Sequence, residues 1–265
     1  MILALFMCVV ALGAIAYAIA TTRSRSDVED RLKTATRNLE FLQHAFSKFA
    51  PATVVDHILA QGISPAPEKK EVTVLFADLR GFTAMSETMD PVDLVKLLNG
   101  YFGAMSRAIS DNNGHVSKFI GDGILALFGA LETNAWQSND AGHAALAMRE
   151  ALAAYNEELR AAGLPTIAIG IGIHRGVVVA GCLGSQQLME YTVIGSQVNL
   201  AARVESMTRE HGVDILVTAA VRQHLDPRFR LRPLPPTRGK GLSEEVVIFA
   251  IEGMSERGAE LAPVE

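Results

Sequence analysis

The sequence predicts an α+β domain, a hairpin-rich sheet with helices packed on one side, and three observations carry that prediction. Short alternating apolar runs recur between Glu71 and Glu252, two long segments repeat apolar residues at helical spacing, and glycines mark tight turns between neighbouring runs. Strands, hairpins and long helices in that order make a layered sheet-and-helix fold the expectation. Of the 265 residues, 49% are apolar and 20% charged, enough to bury a full core. The net charge of -5 argues against a nucleic-acid partner, whose footprint is a basic face. Cys8 and Cys182 are the only cysteines, which excludes a disulfide framework or a thiolate metal site. The seven histidines contain no HExxH and no other close ligand pair, and they read as ordinary surface or core residues.

The chain opens with an apolar run, Ile2 to Ala20. About 20 such residues at ~1.5 Å each cross a hydrocarbon layer of about 30 Å, so residues 1–22 are expected to form one transmembrane helix. A secretory signal peptide is the rival reading, because Ala18-Ile19-Ala20 resembles a cleavage site, yet no Lys or Arg precedes the run. Arg23, Arg25 and Arg31 follow it, and the positive-inside rule then puts the rest of the chain in the cytoplasm, as a single-pass protein of the inner membrane. Other membrane helices are possible partners of such a span.

Over residues 23–50, Val28, Leu32, Ala35, Leu39, Leu42, Phe46 and Phe49 alternate at spacings of four and three, which is a heptad seam. A parallel coil with a second copy is expected; the alternative is an amphipathic helix lying on its own domain. Pro51 ends that helix and opens a short one carrying Val54, Val55, Ile58 and Leu59. A linker with two prolines follows to Lys70, so residues 51–70 read as a transducing piece ahead of a domain over residues 71–252. Residues 253–265 read as a loose tail.

The domain begins with EVTVLFADLRGFT, a strand that ends at Asp78. Asp90 and Pro91 then supply the cap and first turn of a helix with Leu94, Leu98, Tyr101, Phe102, Met105 and Ile109 on one side, closed by Asn112-Asn113-Gly114. HVSKFIGDGILALFG reads as two strand halves meeting at Gly121-Asp122-Gly123, which leaves Asp122 at a hairpin tip. A second helix carries Ala141, Ala145, Met148, Leu152, Tyr155 and Leu159 and stops before Gly163 and Pro165. In TIAIGIGIH, Ile167, Ile169, Ile171 and Ile173 share one face; Ala168, Gly170 and Gly172 leave the other bare for a close-packed helix. Another hairpin spans VVVAGCLG and LMEYTVIG, and the helix after Gly195 puts Asn199 and Arg203 on one face.

Two carboxylates at strand tips beside glycines suit oxygen-preferring cations such as Mg²⁺, which one or two carboxylates plus substrate phosphates hold. Two such ions clamp the entering and leaving oxygens of a displacement at phosphorus. An isolated Asp beside Gly more often caps a turn, and the flanking motifs decide between the two readings. FADLRGFT, KFIGDGILALFG, GIGIHRGVVVAG and YTVIGSQVNLAARVE together resemble the catalytic domain of the class III adenylyl and guanylyl cyclases. The resemblance implies a ferredoxin-like, palm-type fold and a homodimer whose active sites lie between subunits.

It further implies that Asp78 and Asp122, with the main chain of Leu79, hold two Mg²⁺ or Mn²⁺ ions, and that the turn at Leu79, Gly81, Phe82 and Thr83 receives the triphosphate. Asn199 of the second subunit then orients the ribose, and Arg203 stabilises charge at the attacked phosphorus. Arg238 falls where the family usually has a phosphate-binding lysine, and neighbouring Lys240 shares that task. Lys118 and Thr192 occupy the base-recognition positions, and the pair is similar to that of adenylyl cyclases that act on ATP. A guanylyl or mixed-specificity cyclase, or an inactive cyclase-like signalling module, is the alternative.

Overall fold

The computed structural model describes residues 13, 29, 31–42, 67–185, 189–237 and 245–255, and the chain divides into two units, Met1–Val55 and Asp56–Glu265. In the first unit, residues 31–42 are helical and all exposed; the seam residues Leu32, Leu39 and Leu42 each keep more than half their surface. Apart from Gly13, the apolar run Ile2 to Ala20 lies outside the described residues, and so does the helix expected after Pro51. Among the described residues no helix is long and apolar enough to cross a membrane.

The second unit runs β1 (Glu68–Leu79), α1 (Phe82–Thr88), α2 (Pro91–Ser110), β2 (His115–Ile120), β3 (Gly123–Phe128), α3 (Gln137–Ala161), β4 (Ile169–Gly184), β5 (Met189–Ile194), α4 (Ser196–Glu210), β6 (Ile215–Thr218), α5 (Ala219–Arg222), β7 (Phe229–Pro233) and β8 (Ile248–Met254). The sheet order is β2-β3-β1-β4-β6-β8-β7, with β5 paired to the far half of β4. The β4–β6 pair is parallel and the other ladders are antiparallel, the mixed sheet of a palm-type α+β fold.

The helix expected from Asp90 and Pro91 is α2, and the Asp90 carboxylate accepts from Val92 N–H at 2.9 Å and Asp93 N–H at 3.4 Å. A cap of this kind is worth about 1 kcal/mol. Leu97, Tyr101, Met105 and Ile109 form the buried stripe of α2, so Leu97 stands in the core where the sequence reading put Leu94. Strand β1 begins at Glu68, three residues ahead of the expected boundary, because Glu68, Lys69 and Lys70 pair with Ala180, Val179 and Val178. Their charges hid that extension, and the ladder partner that supplies it is over a hundred residues away.

Strand β4 is a single element where two separate runs were expected, and its two faces differ. Ile169, Ile171 and Ile173 enter the main core with Leu75, Tyr101, Phe128 and Met148. Burying each of these larger side chains contributes roughly 1.5–3 kcal/mol. On the other face α4 packs against Gly170 and Gly172, and Val204 and Met207 form a second core with Leu216, Ile248 and Ala250. Helices therefore cover both faces of the sheet, which corrects the one-sided expectation. The alternation of strands β4 and β6 requires it, since Ile215 and Val217 join the first core and Leu216 the second.

A Cβ on Gly172 would lie 2.1 Å from Glu205 N and 2.5 Å from Glu205 Cα, both main-chain atoms. Gly172→Ala should therefore lift α4 off the sheet and lower stability by about 2 kcal/mol or more, read as a drop in the denaturant midpoint. An unchanged midpoint would mean that α4 is not held at this distance.

Candidate active site

Asp78 is the penultimate residue of β1, opposite Gly170 of β4. Asp122 belongs to the two-residue turn Gly121-Asp122 that joins β2 to β3, and Gly121 supplies the left-handed conformation of that turn with φ 63°. Because β3 pairs with β1, the turn closes over the end of β1. The two carboxyl groups come together there, close enough for the charge of Asp122 to act on Asp78. Burial, then the charge of Asp122, push the Asp78 carboxyl up to about 6 from an ordinary 3.8. Asp122 Oδ2 is buried with no hydrogen-bond partner. Two crowded carboxyl groups and an orphaned carboxylate oxygen fit a divalent cation, which satisfies both at once. Among the described residues no group of three or more His, Cys, Asp or Glu converges on one point, so further ligands fall to main chain, water or substrate oxygens.

Two groups behind the pair were not singled out from sequence. Glu205 reaches from α4 across Gly170, where a Cβ would fall 2.6 Å from its Oε1. Burial, and secondarily the negative charge of Asp78, raise its carboxyl to about 7. The Tyr101 hydroxyl is buried without a partner, and burial followed by the charges of Asp78, Asp122 and Glu205 keeps it protonated. Arg209 opposes the concentration of negative charge. Arg80 acts on Glu205 in the same sense while its side chain donates to the carbonyls of Ile169 and Val213. Glu205 was present in the motif that carries Asn199 and Arg203, and Tyr101 was read only as a core residue.

Asn199 is exposed near the start of α4, and Arg203 is one turn further on, half-buried. At about 100° per residue, Arg203 points roughly opposite to Glu205 on the helix. Glu205 and Arg203 thus leave α4 on opposite flanks, with Glu205 on the side of Asp78. His174 holds the start of the helix. Its Nδ1 lies 2.9 Å from Thr218 Oγ1 and its Nε2 lies 2.7 Å from Gln197 Oε1, and burial lowers its pKa so that it stays neutral. His174 is therefore a core residue with both ring nitrogens in hydrogen-bond contact, one of the two settings, surface or core, that the sequence left open.

Lys118 lies on β2, its Nζ 2.8 Å from each carboxylate oxygen of Glu190 on β5. Thr192 is two residues further along β5, buried and opposite Gly181. Leu79 ends β1; Gly81, Phe82 and Thr83 form the entrance to α1. Arg238 and Lys240 lie outside the described residues.

The family of the adenylate and guanylate cyclase catalytic domain matches residues 64–253. The chain belongs to that family. Among relatives, the chain is 36% identical to an adenylate cyclase of Anabaena cylindrica over 88% of its own length and 48% of that protein. It is 33% identical to adenylate cyclase 1 of Rhizobium meliloti (strain 1021) over 70% of the chain and 28% of the relative. The chain thus spans about half or less of these relatives. Among solved structures, the guanylyl cyclase Cya2 shares 36% identity at a TM-score of 0.66, covering 72% of this chain and 96% of that one. The adenylyl cyclase CyaB from P. aeruginosa shares 30% at a TM-score of 0.68, covering 74% and 100%.

In this cyclase domain a cleft of about 640 Å³ opens between α3, the start of β4 and the end of β8, lined by Arg80, Arg149, Asp214 and Glu252 among others. It contains neither Asp78 nor Asp122. Arg149 is spent there on Asp214 and on the carbonyls of Ile251 and Glu252.

The paired carboxylates make stability depend on pH with a definite sign. The folded pKa of Asp78, about 6, lies above the ordinary 3.8, so the folded chain keeps a proton that the unfolded chain releases. Stability present at low pH is then lost as the pH rises through about 6, and Glu205, raised to about 7 from 4.5, extends the loss toward neutrality. Melting temperatures in chelator should fall by about 4–8 °C or less between mildly acidic and neutral pH. Asp78→Asn should flatten the slope, and Mn²⁺ should raise the melting temperature of the wild type but not of the variant. A wild-type melt blind to Mn²⁺ would count against the pair as a cation site.

Proposed function

We propose that this chain is a membrane-anchored, homodimeric adenylyl cyclase that converts ATP to 3',5'-cyclic AMP and pyrophosphate. The observation that carries the reading is the close carboxylate pair Asp78–Asp122 with the orphaned, buried Oδ2 of Asp122. Two Mg²⁺ or Mn²⁺ ions held by these carboxylates and the Leu79 main chain would supply Lewis-acid stabilisation of the attacking and leaving oxygens. The family resemblance assigns the rest of the chemistry to this chain's own groups. The turn at Gly81, Phe82 and Thr83 receives the triphosphate, with Arg238 and Lys240 toward its far end. Asn199 orients the ribose so that its 3'-hydroxyl faces the α-phosphorus, and Arg203 offsets the charge that develops there. Lys118 and Thr192 recognise the adenine.

The position of Arg203 on the flank of α4 opposite Glu205 supports a site completed by a second copy. Val177, Val179 and Leu183 of β4 and Ile194 of β5 also present an exposed apolar face, with Val179 and Ile194 directly paired. The apolar run Ile2 to Ala20 and the heptad seam support an anchor in the inner membrane with a coil above the cytoplasmic catalytic domain, and possible pairing with another membrane protein. A guanylyl cyclase is the second reading, favoured by the 36% identity to guanylyl cyclase Cya2.

Assays of the purified protein with ATP and GTP, each under Mg²⁺ and Mn²⁺, test both readings; cyclic AMP as the main product is the expected result. Asp78→Ala should lower turnover by about a hundredfold or more, the scale for losing an electrostatic stabiliser of the transition state. Wild-type turnover in that variant would remove the metal assignment. Mixing Asp78→Ala chains with Lys118→Ala chains should restore about a quarter of the wild-type rate, since half the dimers then carry one intact site. No recovery in verified heterodimers would overturn the shared site.

A further inference from the structure

Along the side of β4 that meets α4 the strand reads Gly170, Gly172, His174 and Gly176, every second residue. Three of these positions have no side chain, so the helix rests on bare backbone. A Cβ on Gly172 would strike Glu205, and one on Gly176 would lie 2.8 Å from Gln197 Cγ. Bare backbone sets how near a helix lies, but it gives nothing to lock the helix against rotation or against sliding along the strand. His174 is the one side chain in the row, and its contacts are directional. Its Nε2 lies 2.7 Å from Gln197 Oε1 in the first turn of α4, and its Nδ1 lies 2.9 Å from Thr218 Oγ1 at the end of β6. The Gln197 amide nitrogen turns to Ser196 Oγ, so the amide oxygen accepts from His174 Nε2, and Nδ1 accepts the Thr218 hydroxyl. His174 and Thr218 are both buried, and no side chain caps α4, whose N-cap is Gly195.

We infer that His174 is a positioning residue for catalysis: through Gln197 it fixes the rotation of α4, and with it the placement of Asn199 and Arg203 against a nucleotide held by the second subunit. This role rests on the catalytic assignment of Asn199 and Arg203 given above. At about 100° per residue, both side chains leave the helix on the flank opposite Gln197. Turning α4 at its first turn therefore shifts them sideways, while Asp78 and Lys118 of the same chain, held on β1 and β2, stay in place. Misplacement by about 1 Å at a reacting centre costs up to about a hundredfold in rate. Thr218 completes the device from behind, because its hydroxyl on Nδ1 sets the tautomer that presents Nε2–H to Gln197.

Gln197→Met keeps the length and helix propensity of the side chain and removes the acceptor. In the full chain it should lower kcat by about tenfold or more, with KM for ATP changed by less than about threefold. His174→Asn, too short to reach Gln197, should do the same, and the double variant should lose no more than either single one. Because α4 serves the nucleotide of the other subunit, the defect should travel with Asn199. Mixing Gln197→Met chains with Asp78→Ala chains should restore about a quarter of the wild-type rate, as should the control pair Asn199→Ala with Asp78→Ala. Mixing Gln197→Met with Asn199→Ala chains should restore nothing. Hydrogen exchange at the amides of Leu200 to Arg203 should quicken about tenfold in Gln197→Met, with α2 unchanged. Unchanged kcat, additive losses in the double variant, recovery with Asn199→Ala chains, no recovery with Asp78→Ala chains while the control pair recovers, or unchanged exchange would each overturn the role of His174. Failure of the control pair would instead overturn the shared site, and exchange in α4 would still decide whether His174 holds the helix.

Discussion

The contact between α4 and the bare face of β4 sets the distances on which the rest of the domain depends. At Gly172 the helix backbone comes so near that no Cβ fits, and at Gly170 the Glu205 and Thr208 side chains occupy the space a Cβ would take. That proximity lays Glu205 beside the tip of β1 and allows His174 to hold Gln197. It also fixes where Asn199 and Arg203 emerge. The opposite face of the same strand carries the isoleucines that close the main core, so one strand anchors both layers.

Against this rigid frame, the far end of β1 gathers groups that oppose one another. Asp78, Asp122 and Glu205 bring three carboxyls near the unpaired Tyr101 hydroxyl, and two of those carboxyls are held well above their ordinary range. A sequence selected for stability alone would not concentrate negative charge and orphaned polar atoms at a buried strand tip. Local violations of that kind mark functional sites in otherwise consistent folds. The cost is carried by the double core on either side of the sheet, and a bound cation would turn the repulsion into attraction.

Much of this was legible in the chain. Asp90 and Pro91 marked the start of α2, Gly121-Asp122-Gly123 marked the β2–β3 turn, and the Ile/Gly alternation marked β4 with one face open to a helix. Strands β6, β7 and β8 were not read, because a four-residue strand and a broken C-terminal ladder carry too little periodicity to stand out. The pairing of Glu68 to Lys70 was hidden by charge, and the burial of Leu97 in place of Leu94 was not legible because Leu94, Leu97 and Leu98 all suit a helical face. Of the site, Asp78, Asp122, Asn199 and Arg203 came from motifs, whereas Glu205, though it ends one of those motifs, gave no local sign that it is buried beside Asp78.

By itself, then, the sequence determined which residues end strands, which turns are tight and which strand face is left bare, since these follow from local sterics and from periods of two and 3.6 residues. Only the tertiary structure decided that α4 lies on the opposite face from α2 and α3, that Asp78 is brought against Asp122, and that Lys118 is held by a carboxylate 72 residues away. Those outcomes depend on strand order and on desolvation at one particular strand end. Neither quantity is carried by any short stretch of chain.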